Sequence, residues 1–242
     1  DMLSSPKNLR GGRSADYSPD ARDAKCGERV VSSTFRTHGT EVASLIAGNG
    51  QSGVRGVNPN AKILPIRLFG SCPMRRADLL DAMSWAAGFP VEGVPINPNP
   101  ARVINLSFSG GKMTCGADLQ QLIYRLNRKN IFIVAAVGNT FGKKLAEPSN
   151  CEGVISVGAV DAENNIEGYS ALDARTVIYA PGGGKSLDGN SPWHVNKLKV
   201  ASFDVDFKGD ETPSGVPRGV GTSYAAPLVS GFISLLLSQR MD

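Results

Sequence analysis

Histidine is nearly absent from this chain: His38 and His194 are the only two in 242 residues. So few leave no histidine-rich metal cluster, and the four cysteines, Cys26, Cys72, Cys115 and Cys151, contain no CxxC pair. A zinc site is therefore not expected. Neither sign of charge dominates, with Lys+Arg 26 against Asp+Glu 22 for a net of +4. The basic residues are scattered apart from pairs such as Arg75-Arg76 and Lys143-Lys144, which speaks against nucleic acid as a partner. No apolar run approaches the roughly eighteen residues of a membrane span. The opening DMLSSPKNLRGGRS is polar, without the apolar core of a secretory signal. There is no repeat of solenoid period, and the G-x-S-x-G elbow of the α/β-hydrolases is missing.

Glycine (28) and proline (15) are plentiful, aromatics are sparse at 7%, and 41% of the residues are hydrophobic. That balance suits tight loops between buried elements, and the length suits a single domain over 1–242. Short continuous apolar runs at 61–69, 102–108, 131–137, 153–160 and 176–180 read as strands buried on both faces. Helical spacing predicts helices over 77–88 and 116–130. The second of these buries Leu119, Leu122, Ile123 and Leu126 and carries a basic last turn. Strand–helix alternation predicts an α/β fold: a doubly wound, mostly parallel sheet with helices on both faces.

The stretch GNGQSG (48–53) matches a dinucleotide fingerprint in letters only. It follows a helical pattern instead of a strand, so its glycines are expected to end a helix and turn the chain. Just before it, His38 reads as the start of that helix with Thr37 as N-cap, where the positive helix end would keep the imidazole neutral. Far along the chain, GVGTSYAAPLVSGFISLLLS (219–238) sets Ser223 ahead of a strongly apolar helix. Pro227 is expected near the first turn. There Ser223 offers both a nucleophile and a backbone N–H for an oxyanion. The buried run 131–137 leads into Gly138-Asn139, beyond a strand's carboxyl end, where the Asn139 amide can donate to the same oxyanion.

These segments resemble the subtilisin-like serine peptidases. HGTEVASLIAG is similar to their histidine motif, GTSYAAP to their serine motif and AAVGN to their oxyanion segment. VINLSFSGG (103–111) resembles their substrate-binding strand. The resemblance runs in family order from about residue 30 to 238. It implies a serine endopeptidase with His38 as base, Ser223 as nucleophile and Asn139 as oxyanion donor. Ser107, Phe108, Ser109 and Gly110 are then expected to pair with an extended polypeptide substrate. It implies no cofactor for the chemistry, a secreted, extracellular or periplasmic location, and disulfides Cys26–Cys72 and Cys115–Cys151. Pro148 falls near a turn that is often cis in relatives.

The departures are equally specific. Tyr224 replaces the methionine that usually follows the serine, Ser109 a glycine, and Val137 an alanine. The triad aspartate should end a buried strand upstream of His38, and none does: Asp1 follows no strand, and Asp16, Asp20 and Asp23 lie in polar sequence. Leu9, Gly11 and Ser14 stand at positions that are often acidic and calcium-binding in relatives, so structural calcium is expected at no identified place. Both ends read as cut inside a domain, with the missing aspartate strand upstream or on a second chain. The competing expectation is a peptide-binding pseudoprotease, or enzyme fragment, of the same fold. His194 reads as a surface residue.

Overall fold

The computed structural model describes residues 10–11, 33–51, 53–68, 74–184, 198–201, 203–205, 211–213 and 218–239. The expectations on Asp1, Leu9, Ser14, Asp16, Asp20, Asp23, Cys26, Cys72 and His194 lie outside these residues. In chain order the elements are β1 (Arg10–Gly11), α1 (Ser33–Ala47), β2 (Ile66–Arg67), α2 (Arg76–Ala86), β3 (Val103–Leu106), α3 (Ala117–Asn127) and β4 (Phe132–Ala136). There follow β5 (Val154–Val160), β6 (Ile178–Pro181), β7 (Leu198–Lys199), β8 (Phe203–Val205), β9 (Glu211–Pro213), β10 (Arg218–Gly219) and α4 (Thr222–Ser238). Residues 1–41, 63–101 and 202–215 form one compact unit, and 42–62, 102–201 and 216–242 a second.

The second unit is built on a four-stranded parallel sheet in the order β3-β4-β5-β6. Its strands come from four of the apolar runs; in the central strands β4 and β5 the lack of alternation has a cause, burial on both faces, whereas β6 leaves Ile178 exposed. Along β4, Val134 and Ala136 pack towards α4, while pleating turns the fully buried Ile133 and Ala135 to the other side. On the crossover from β3 to β4, α3 packs against β4 and buries the four apolar residues its spacing marks. α4 lies against all four strands. Its contact is made of small residues, Ala225 and Ala226 against Ala136, Ala159 and Ala180, which lets the helix approach closely. The arrangement is the doubly wound α/β fold.

The glycine stretch closes the C-terminal end of α1. Gly48 N–H donates to the Ser44 carbonyl (2.9 Å), Gly50 N–H to that of Val54 (3.0 Å) and Gly56 N–H to that of Gly48 (2.9 Å). A Cβ on Gly56 would stand 2.5 Å from the Ala47 nitrogen, so only glycine permits this return. Its N–H groups serve the turn itself. Farther on, the Cys115–Cys151 disulfide ties the segment before α3 to the one before β5. The Glu147-Pro148 bond is cis.

In the first unit, α2 packs Ala82 and Trp85 with Val91, Ile66, Leu68 and Val94. The proline-rich connection is tied back to α2: Trp85 Nε1 donates to the Pro95 carbonyl (2.7 Å) and Asn97 Nδ2 to that of Ala86 (3.2 Å). The fully buried strand expected over 61–69 is not formed. Only Ile66–Arg67 is extended in a ladder, and Ile63 and Leu64 are exposed. A strand persists where a neighbour takes its N–H and C=O groups, and among the described residues this run pairs only with the two residues of β1.

Candidate active site

Three strand exits meet the first turn of α4 within the second unit. After β6, the Gly182 carbonyl accepts the Gly221 N–H (2.8 Å). After β4, Gly138 N–H donates to Thr222 Oγ1 (3.1 Å). After β3, the Ser107 carbonyl accepts the Ser223 hydroxyl (2.9 Å). Serine is thus presented at the carboxyl edge of the sheet, on a helix start whose first N–H groups have no intrahelical partner.

Pro227 is the sixth residue of α4, not a first-turn residue as the sequence suggested. Its ring has no N–H for the carbonyl four residues back, that of Ser223. The Ser107 hydroxyl takes that place, donating to the Ser223 carbonyl at 2.8 Å. Behind it, Asn105 Nδ2 donates to Ser107 Oγ (2.9 Å) and Ser230 Oγ to Asn105 Oδ1 (2.9 Å). The side chain of Ser107 is therefore structural, and its carbonyl faces the Ser223 hydroxyl.

Asn139 is oriented by its neighbour. Thr222 N–H and Thr222 Oγ1 both donate to Asn139 Oδ1, at 3.0 Å each. A backbone N–H can only donate, so the acceptor end of the amide is fixed there and Nδ2 is left as the donor. Nδ2 would lie 2.9 Å from a Cβ on Gly221, whose φ of +143° and lack of side chain make room for it. Among the described residues no protein acceptor is recorded for Nδ2 or for the Ser223 N–H. Both are donors left over at the first turn of α4. The turn is braced by Tyr169, which donates to the Gly183 carbonyl (2.6 Å). Burial, and then the Glu167 charge, push its phenol well above the ordinary range, so it stays a donor.

The second unit thus brings together Ser107, Ser109, Asn139 and Ser223. The side chain of Ser109 stands 3.1 Å from where a Cβ on Gly138 would be, so Gly138 must lack one. Phe108 is half-buried in the same segment, and Gly110 gives its N–H to the Glu147 carbonyl (2.9 Å), leaving its own carbonyl for other partners. Val137 turns away from this edge, packing with Leu145 and Ala171. Asn105 and Thr222 escaped the sequence reading; the available signal was a polar residue inside the apolar run VINL.

His38 belongs to the first unit. It is the sixth residue of α1, so Thr37 is not its N-cap and no helix terminus acts on it. Burial holds its pKa below 6.5 instead, opposed by the smaller effect of the Glu41 charge. Among the described residues no three His, Cys, Asp or Glu side chains gather as a metal site, and Gly11 lies in β1.

A family model described as the subtilase family matches residues 12–242. The extracellular basic protease of Dichelobacter nodosus is 35% identical, over 98% of this chain and 39% of its own length. The extracellular protease of Xanthomonas campestris pv. campestris is 31% identical, over 96% and 38%. The chain therefore spans about two fifths of these relatives. Among solved structures, a protease of Pseudoalteromonas arctica superposes with a TM-score of 0.69 at 36% identity, covering 83% of this chain and 58% of its own. A cold-adapted subtilisin-like serine proteinase, at 21% identity and a TM-score of 0.61, is alike in fold.

Proposed function

The chain belongs to the subtilase family, and from that premise we propose that it is a secreted serine endopeptidase acting through a single peptidase domain. Ser223 Oγ attacks the scissile carbonyl while His38 takes its proton. The oxygen that gains the electron pair is held by Asn139 Nδ2 and the Ser223 N–H. Collapse breaks the C–N bond, and the leaving amine takes the proton from His38. Water then repeats the sequence on the acyl-enzyme. The single observation that carries this reading is the Thr222–Asn139 pair, which leaves an amide donor beside the nucleophile's turn.

A peptide added along 107–110 brings an N–H to the Ser107 carbonyl and frees the Ser223 hydroxyl that occupies it at rest. Secretion is supported by relatives named as extracellular and by the Cys115–Cys151 disulfide, a bond typical of oxidising compartments.

Reaction of the full-length protein with a fluorophosphonate tests the proposal. An adduct at Ser223 that disappears in Ser223→Ala and falls sharply in His38→Ala is expected. A native protein that binds peptide yet takes no adduct would be a pseudoprotease.

A further inference from the structure

Just past Asn139 the chain makes a short excursion between two anchors. Val137 and Leu145 are fully buried and pack with Ala171. Main-chain bonds fasten the excursion along one side. Ala171 N–H donates to the Gly138 carbonyl (3.0 Å), Phe141 N–H to that of Tyr169 (3.0 Å) and Gly142 N–H to that of Ser170 (3.2 Å). Residues 141–144 are nonetheless exposed. A loop held at both ends and along its back is a firm lip.

What the lip presents is not explained by folding. Phe141 is 67% exposed, the most exposed large hydrophobic side chain among the described residues. It also sits at φ 54°, a left-handed conformation that disfavours a bulky residue. Glycine would make the turn without strain, as Gly142 does next at φ 79°. Here an aromatic ring is kept where the backbone resists it and burial does not reward it. Lys143 and Lys144 follow, both exposed and neither in an ion pair with a described residue. Two residues of chain span at most about 7 Å, so the Cα of Phe141 stays within that reach of the Cα of Asn139.

We propose that residues 141–144 are a substrate-docking lip that selects polypeptides carrying an acidic side chain beside an apolar one, near the scissile bond. The proposal rests on the peptidase reading above. Phe141 supplies an apolar face already fixed in place, so little ordering entropy is lost when a substrate side chain covers it. The adjacent ammonium groups repel one another, and a carboxylate relieves that repulsion. Because the lysines are solvated, their effect falls on encounter and on KM and weakens with salt. Two cations are too few to hold an anionic membrane, where clusters of about four to eight are typical.

The test uses the full-length protein and matched fluorogenic peptides that differ only in Glu-Leu, Lys-Leu or Glu-Ser beside the cleavage position. At low salt the parent is expected to prefer Glu-Leu by about tenfold in kcat/KM, mainly through KM. The paired substitution Lys143→Ala with Lys144→Ala should erase the preference over Lys-Leu, as should high salt. Phe141→Gly, which suits the backbone, should erase the preference over Glu-Ser with no loss of stability. Hydrolysis of a small ester, too short to reach the lip, should be unchanged in both variants. Equal kcat/KM for the three peptides in the parent, or variants that keep its preferences, would overturn the lip. Anisotropy of the same peptides on Ser223→Ala protein reads docking without turnover. Loss of fluorophosphonate labelling in the parent therefore sinks the peptidase reading separately from the lip.

Discussion

The base of the proposed reaction must be neutral to act, and it is helped by whatever makes its charge expensive. For His38 that is burial, which holds the pKa below 6.5, while Glu41, three residues on in α1, pulls weakly the other way. Neutralising Glu41 removes a charge that favours imidazolium. Glu41→Gln is therefore expected to move the acid limb of kcat/KM to lower pH, read from a profile with one fluorogenic peptide; a limb moved upward would contradict this. The same depression has a stability sign. Between the native pKa and 6.5 the unfolded chain binds more protons, so this contribution is intact above pH 6.5 and is lost as pH falls through the native value. The sequence pointed to a neutral His38 for the wrong reason. SSTFRTH offers several capping hydroxyls, and α1 begins at Ser33, before Thr37 is reached.

Elements carry the site through one irregularity, the proline in α4. Pro227 leaves the Ser223 carbonyl without its helical donor, and Ser107 supplies one from the exit of β3. A strand exit and α4 are thus coupled by reciprocal bonds, Ser107 Oγ to the Ser223 carbonyl and Ser223 Oγ to the Ser107 carbonyl. Ser107→Ala is expected to cost about 1–3 kcal/mol, the usual penalty for an acceptor left without its donor. In a Pro227→Ala background, which restores the helical N–H, the same substitution should cost clearly less. Denaturant titrations of the four proteins check it, and equal costs in both backgrounds would show the coupling absent. The strands β3, β4, β5 and β6 and the helix α3 were legible because they are long enough, and apolar on the right faces, to declare themselves. The Ser107–Ser223 bond was not: it joins residues far apart in the chain, and nothing in LSFSG marks which serine faces a helix.

At the scale of the whole molecule, what can be read from sequence depends on how much of an element's environment is itself in view. The run 61–69 is as apolar as those that became strands, yet Ile63 and Leu64 are exposed, and among the described residues its ladder is two residues long. Cysteine pairing is hidden in a different way, since four cysteines allow three connectivities and only the resemblance singled out a pairing, of which Cys115–Cys151 lies among the described residues and forms. This bond acts on the unfolded chain as much as on the folded one. It closes a loop with a sequence separation of 36, which in the chain-entropy account restricts the denatured ensemble by about 3–4 kcal/mol. Native domains keep only about 5–15 kcal/mol in all, so the bond is a large share of the margin. It also braces the segment 110–116, where Glu147 and Asn150 hold the Lys112 main chain from the same side. The double substitution Cys115→Ser with Cys151→Ser should therefore lower unfolding free energy by about 3–4 kcal/mol. It should also raise KM for peptides more than it lowers kcat, because 107–110 then loses the support of its continuation. Urea titration by circular dichroism reads the first effect and initial rates the second. An unchanged KM beside the expected loss of stability would confine the disulfide to the unfolded chain.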